Sequence, residues 1–169
     1  SLKAKKKIND YGLSISKDYN YDKNFIRRFK IIQLDYNILY LKNYFNKFFK
    51  NKIIHARSPL AAGTIFLLNN KKKFSKGDFR KKWVTIQRKK IIMKQLENIK
   101  KEFKKDIYSL SLSFLFNDSF VNKIIFGVKN KAQLVSLISQ TQKINKNYID
   151  VKNYKKFYLS NDLFKKKGF

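Results

Sequence analysis

The chain has 169 residues, with 40 Lys+Arg against 11 Asp+Glu, a formal net charge of +29, one His, one Pro and no Cys. That length holds one modest domain with tails. A hydrophobic content of 43% excludes a fully disordered polycation, the lack of cysteine excludes a disulfide framework and a thiolate zinc site, and no run approaches the roughly 18 to 20 apolar residues of a spanning helix, so no transmembrane insertion is expected.

Residues 1–30 read as a basic N-terminal arm, opened by Lys3, Lys5, Lys6 and Lys7 and carrying Arg27 and Arg28. Leu34, Ile38, Leu41 and Phe45 are spaced by four, three and four, which predicts a helix between Leu34 and Phe49. Pro59, Ala61, Ala62 and Gly63 then break the pattern; a short helical turn starting at Pro59 and capped by Gly63 is expected. Thr64 to Leu68 is a β-prone run closed by Asn69 and Asn70, read as a buried strand.

From Arg80 to Asp106 the helical period returns, with Ile92, Leu96, Ile99 and Phe103 on one face and Lys90, Lys94, Lys101, Lys104 and Lys105 on the other. Leu110, Leu112 and Phe114 alternate with Ser111 and Ser113, the pattern of a half-exposed strand. Ile124 to Val128 is a further strand candidate, and Ala132 to Ile144 a short helix with Leu134, Val135 and Ile138 inward. From residue 145 the chain is Lys, Asn and Tyr without clear period, ending in Lys165, Lys166 and Lys167. The expected class is α+β: a small helix-rich RNA-binding domain at 31–144 with a short sheet and one long amphipathic basic helix, flanked by extended basic tails at 1–30 and 145–169.

Catalytic chemistry is not expected. His55 is the sole imidazole, the carboxylates are scattered beside lysines, and no Gly-rich phosphate loop is present. No metal, cofactor or small-molecule substrate is expected either. The abundance of Phe, Tyr, Ile, Asn and Lys, with only 5 Gly and 1 Pro, points to an A/T-rich genome, but codon bias does not remove Asp and Glu. The positive charge therefore calls for an anionic partner. Lys71, Lys72, Lys73 and Lys76 follow the expected strand, and Arg80, Lys81, Lys82 and Arg88, Lys89, Lys90 lie on the long helix. Eight residues turn a helix by about 800°, so the last two triplets sit about 80° apart, as a phosphate backbone requires. Arg57, Arg27 and Arg28 complete the expected RNA-contacting set.

Several motifs carry a resemblance. Asn9, Asp10, Tyr11 and Gly12, then Gln33, Leu34 and Asp35, then Ala56, Arg57, Gly63, Ile65, Asn69, Lys71, Lys76, Gly77 and Asp78 resemble segments of small-subunit ribosomal protein four. The resemblance implies that Arg57 faces phosphate, that Gly63 makes a tight turn and that Asn69 with Lys71 sits in a β-turn at the RNA. Asp78, Phe79, Arg80 and Trp83 resemble large-subunit ribosomal protein twenty, and Ile125, Phe126, Gly127, Asn130 and Lys131 are similar to small-subunit protein two. The expectation is a structural constituent of an organellar ribosome, in the mitochondrial matrix or a relict plastid, with ribosomal RNA and neighbouring ribosomal proteins as partners and the small subunit favoured. The alternatives are a large-subunit RNA-binding protein and a basic accessory protein of an organellar membrane complex.

Overall fold

A computed structural model describes residues 2–16, 22–70, 73–144 and 148–165. Its centre is a four-stranded sheet in which chain order and spatial order agree: β1 (Gly12–Ser14), β2 (Ile31–Asp35), β3 (Ile53–Arg57) and β4 (Lys123–Ile124), every neighbouring pair parallel. The helices are α1 (Lys23–Arg27), α2 (Thr64–Asn69), α3 (Ile86–Phe103), α4 (Ile107–Asn117), α5 (Lys131–Gln142) and α6 (Val151–Ser160). Single 3₁₀ turns stand at Lys47–Phe49, Phe79–Lys82 and Asp162–Phe164.

Strand alternation decides which side of the sheet is packed. Ile32 pairs with Ile54 and Leu34 with Ala56, and all four are fully buried in one cluster with Ile65, Ile92, Ile99, Ile107 and Phe114 from the helices. Their neighbours point the other way. Ile31, Gln33, Ile53 and His55 are only half-buried, and Gly12, Ser14 and Lys123 are exposed. The small-domain α+β expectation is thus replaced by an α/β arrangement with a parallel sheet.

Five local expectations are corrected in turn. The Leu34–Phe49 stretch is not helical: Leu34 belongs to β2, and Ile38 and Leu41 are buried in a loop whose backbone is satisfied by asparagines. There Asn37 accepts from Leu39 N at 3.0 Å and donates to Ser58 O at 3.0 Å, while Asn43 donates to Asp35 O at 3.3 Å. Thr64–Asn69 is a helix rather than a strand, and so is the Leu110–Phe114 segment within α4. Ser111 Oγ donates to Ile107 O at 2.6 Å and Ser111 and Ser113 are both buried, so the Leu110–Phe114 segment is covered on both sides and its two-residue alternation marks no solvent boundary. The 124–128 strand shrinks to Lys123–Ile124, and the tail after 145 contains α6, capped by Asp150 and burying Tyr154, Lys155 and Tyr158.

The helix within 80–106 starts at Ile86, where Thr85 Oγ1 accepts from Arg88 N at 3.2 Å, and buries Ile92, Leu96 and Ile99. Leu134, Val135 and Ile138 of α5 do not turn inward; all three are exposed.

Gly12 is needed where β1 meets β2. A Cβ there would stand 2.6 Å from Ile31 O and 2.8 Å from Ile31 Cβ, a contact with backbone that no side-chain rotation relieves. Gly12→Ala is expected to destabilise by about 1–3 kcal/mol, read as a lower urea midpoint with early loss of amide protection in β1.

Candidate functional site

The carboxyl ends of parallel strands converge on one rim, and that rim is where loops can bring polar groups together. Register sets Asp35 opposite Arg57, and the Arg57 guanidinium binds across three strands. Its Nη2 donates to Asp35 Oδ2 at 3.0 Å and to Ile15 O at 2.9 Å, and its Nη1 to Ser14 Oγ at 3.2 Å. Arg57 Nε is buried and has no hydrogen-bond partner.

The chain leaving β3 adopts left-handed backbone at Ser58, Ala61, Ala62 and Gly63. Only Gly63 does so without cost to a side chain; a Cβ on it would lie 2.9 Å from Arg80 Nη1. Gly63 is therefore the residue before α2 rather than the end of a helical turn. Thr64 Oγ1, next along, is buried without a partner.

Arg80 holds this loop from outside. It is buried, donates through Nη1 to Ala62 O at 3.1 Å and through Nε to Asp78 Oδ1 at 2.8 Å, and its Nη2 also bonds Asp78 Oδ2. Those Arg80 hydrogen bonds, with the charges of Arg80 and Lys129 added, hold the Asp78 carboxyl down to about 2. Asp78 itself lies after α2, and Arg80 links its turn to the loop after β3 through the Ala62 carbonyl. Two arginine–aspartate pairs thus brace this region, Arg57 with Asp35 at the strand ends and Arg80 with Asp78 against the Ala62 carbonyl.

His55 lies one step below Arg57 on the half-open face, in register with Gln33 and Lys123. Burial first, and the charge of Lys123 second, lower its pKa. The unfolded chain takes a proton near 6.5, whereas the folded chain resists it until lower pH. The His55 contribution is therefore fully present above pH 6.5 and is lost as pH falls from there through the folded pKa. Asp10 and Asp78 titrate below 3.8 and leave that window to His55. His55→Gln is expected to flatten the stability profile between pH 5 and 7, measured by urea unfolding at fixed ionic strength.

The expected RNA-contacting residues are distributed over several elements. Arg57 and Arg80 are engaged at the rim, while Arg27 and Arg28 are exposed around the end of α1. Lys73, Lys76, Lys81, Lys82 and Lys90 are exposed, Arg88 and Lys89 half-buried. Arg88 Nη1 donates to Trp83 O at 3.0 Å, and the 3₁₀ turn at Phe79–Lys82 separates the two triplets that a continuous helix would align. Lys71 and Lys72 lie outside the described residues. Sequence reasoning missed Ser14, Asp35, Asp78 as an Arg80 partner, and Lys129; the parallel pairing of 31–35 with 53–57 was the signal available.

Strands that follow one another in parallel, with the segments that connect them packed on one face, make a segment of a TIM-type β/α barrel. The aldo-keto reductase AKR11C1 from Bacillus halodurans shares this arrangement in two solved forms. The holo form matches with a TM-score of 0.56 and 15% identity over 90% of this chain and 52% of that chain. The apo form matches with a TM-score of 0.58 and 15% identity over 92% of this chain and 53% of that chain. The chain therefore spans about half the length of the reductase it resembles, and the likeness fixes the fold. No family model matches the sequence, nor does any curated protein sequence.

These findings overturn the ribosomal reading. The segments that resemble small-subunit ribosomal protein four fall on β1, β2, β3, α2 and the Asp78 turn of a reductase-like sheet. The likeness to large-subunit protein twenty rests on the Phe79–Lys82 turn and its flanking residues, and that to small-subunit protein two on the loop after β4 and the first residue of α5. With the family go ribosomal RNA and ribosomal proteins as partners, and the large-subunit and membrane-complex alternatives. A reductase fold also removes the expectation of a non-enzyme without a small-molecule substrate.

Proposed function

We propose that this chain is half of a carbonyl-reducing oxidoreductase and holds a phosphorylated nicotinamide dinucleotide against the carboxyl rim of its sheet. The observation that carries the reading is the rim itself: a buried Arg57 Nε and a buried Thr64 Oγ1 without partners, beside a left-handed loop and Lys129. Orphaned buried donors are costly and fit a ligand that accepts from them. Arg57 would offer its free N–H, Thr64 its hydroxyl and Lys129 its charge, while Asp35 and Ser14 fix the guanidinium. When bound, the dinucleotide supplies hydride to a carbonyl carbon. Asp78 and Arg80 shape the loop and need not touch the ligand.

The test is titration of NADPH into the full chain at physiological salt, followed by fluorescence of Trp83, the single tryptophan, which adjoins the Arg80 turn. Saturable quenching is expected, and Lys129→Ala should raise Kd about tenfold, the scale of one hydrogen bond to a charged group. Equal competition by tripolyphosphate would reduce the effect to bulk attraction for a +29 chain and sink the proposal.

A further inference from the structure

The chain between β3 and α2 holds a conformation that most of its own residues disfavour. Ser58, Ala61 and Ala62 stand at φ 54°, 51° and 54°, where a side chain meets its own backbone. Ser58 is restricted further by the ring of Pro59 that follows it. Gly63, at φ 77°, takes left-handed backbone freely. A loop of this kind persists only where its surroundings over-determine it.

Two side chains from outside the loop hold its ends. Asn37 Nδ2 donates to Ser58 O at 3.0 Å, and Arg80 Nη1 donates to Ala62 O at 3.1 Å. Between them Ala61 is fully buried; its N donates to Ser58 O at 2.8 Å and its O accepts from Thr64 N at 3.0 Å. Ala62 is exposed, so packing does not fix its backbone and the Arg80 bond does. Arg80 is itself fixed. The Asp78 carboxylate takes Nε at 2.8 Å and also Nη2, which leaves Nη1 for Ala62 O, and the Phe74 ring centre lies 5.1 Å from the guanidinium carbon. Gly63 leaves the room for this, because a Cβ on it would stand 2.9 Å from Arg80 Nη1. A planar guanidinium serves these three acceptors together; a lysine ammonium at the end of a flexible stem does not.

We propose that Arg80 is a positioning residue for the ligand of the rim: oriented by Asp78, it latches residues 58–63 in the left-handed conformation that sets where Arg57 and Thr64, at the two ends of the loop, stand relative to each other. The inference takes the identity of the ligand from the dinucleotide reading, and the latch from the loop alone. Without the latch the loop relaxes toward right-handed backbone. The ligand must then reorder it, and binds more weakly by the fraction of chains left in the competent form.

The experiment compares the full chain with Arg80→Lys, Arg80→Ala and Ala62→Gly, alone and combined, by hydrogen exchange and by calorimetric titration of NADPH at physiological salt. Both Arg80 variants should speed exchange of the Ala61 and Thr64 amides about tenfold, the scale of one hydrogen bond to a charged group. The Ile31–Asp35 amides should keep their protection and so report an intact sheet. Kd for NADPH should rise about tenfold in both, although lysine keeps the charge. Ala62→Gly relieves the left-handed backbone at an exposed position, so added to Arg80→Lys it should recover about fivefold of both effects. Alone it should raise the urea midpoint, and that measurement decides if neither Arg80 variant keeps its sheet. Unchanged loop exchange in the Arg80 variants, affinity lost with alanine but kept with lysine, or a lower urea midpoint for Ala62→Gly would each overturn the proposal, the second by making Arg80 a direct charge contact. A wild-type chain that does not bind NADPH sinks the dinucleotide reading instead; faster loop exchange then still sustains the latch, and unchanged exchange still overturns it.

Discussion

Lys155→Met is expected to destabilise the protein by about 3–5 kcal/mol, because it removes one partner of a buried ion pair and strands the other. Lys155 Nζ donates to Asp118 Oδ1 at 2.7 Å, and the Asp118 side chain is fully buried. Asp118 also accepts from Tyr36 OH at 2.6 Å and from Phe120 N at 3.0 Å, so one carboxylate ties the end of β2, the end of α4 and α6. Burial first, and the Asp118 charge second, push the Tyr36 phenol far up; it stays a donor at any ordinary pH. Lys155 Nζ also stands 3.4 Å from the centre of the Tyr44 ring, and Met keeps an unbranched side chain of similar reach there. A matched double variant, Lys155→Met with Asp118→Asn, should recover part of the loss, because no charge is then left unpaired. Urea unfolding of both variants checks the argument; equal loss in the two would show that packing rather than charge dominates.

Phe114→Ala should cost a comparable 3–5 kcal/mol, roughly the range for emptying a fully enclosed aromatic position. Phe114 is fully buried, with its ring 4.9 Å from Tyr154 and 5.9 Å from Tyr36. Tyr154 is itself sealed and donates to Ile38 O at 2.8 Å. The void would open between α4, α6 and the loop after β2, where the rigid rings of Tyr36 and Tyr154 resist collapse. Phe114→Leu should retain more than half of the stability. The Lys155 and Phe114 effects should not add, since both act through Tyr36, and a thermal or urea double-mutant cycle measures the coupling.

Legibility in the sequence followed the solvent boundary. The central helix was readable because α3 has a wet side, and Lys94 and Lys101 mark it against Ile92, Leu96 and Ile99. Helix α4 has no such boundary, so its Leu/Ser alternation read as a strand although each serine is buried. The four apolar residues from Ile65 to Leu68 are too few to separate a short helix from a strand. Helix α6 had a usable signal in Asp150 followed by Tyr154 and Tyr158, masked by abundant Lys. The site was less legible still. Asp35 and Arg57 are 22 positions apart, and nothing local announces that they meet.

Charge misled for a related reason. Counted along the chain, lysines and arginines outnumber acids and ask for an external anion. In space, several are answered internally: Lys52 donates to Arg27 O and Phe29 O, Lys105 to Tyr148 O, Arg80 to Asp78 and Ala62 O, and Arg57 to Asp35. Backbone carbonyls and a few aspartates give these particular cations a role inside the fold, while the net charge of +29 is unchanged by such pairing.

The interval between β3 and β4 has a kinetic consequence. Residues 58–122 separate these neighbours, while β1, β2 and β3 follow one another closely. Closing the long interval costs more chain entropy and gains only a two-residue strand. The first three strands can therefore pair as soon as they leave the ribosome, and β4 joins only after α2, α3 and α4 have assembled the surface it lies on. Nascent chains halted before residue 120 would hold a three-stranded sheet with the Ile54 edge uncovered, which makes that edge the natural target for a chaperone during synthesis.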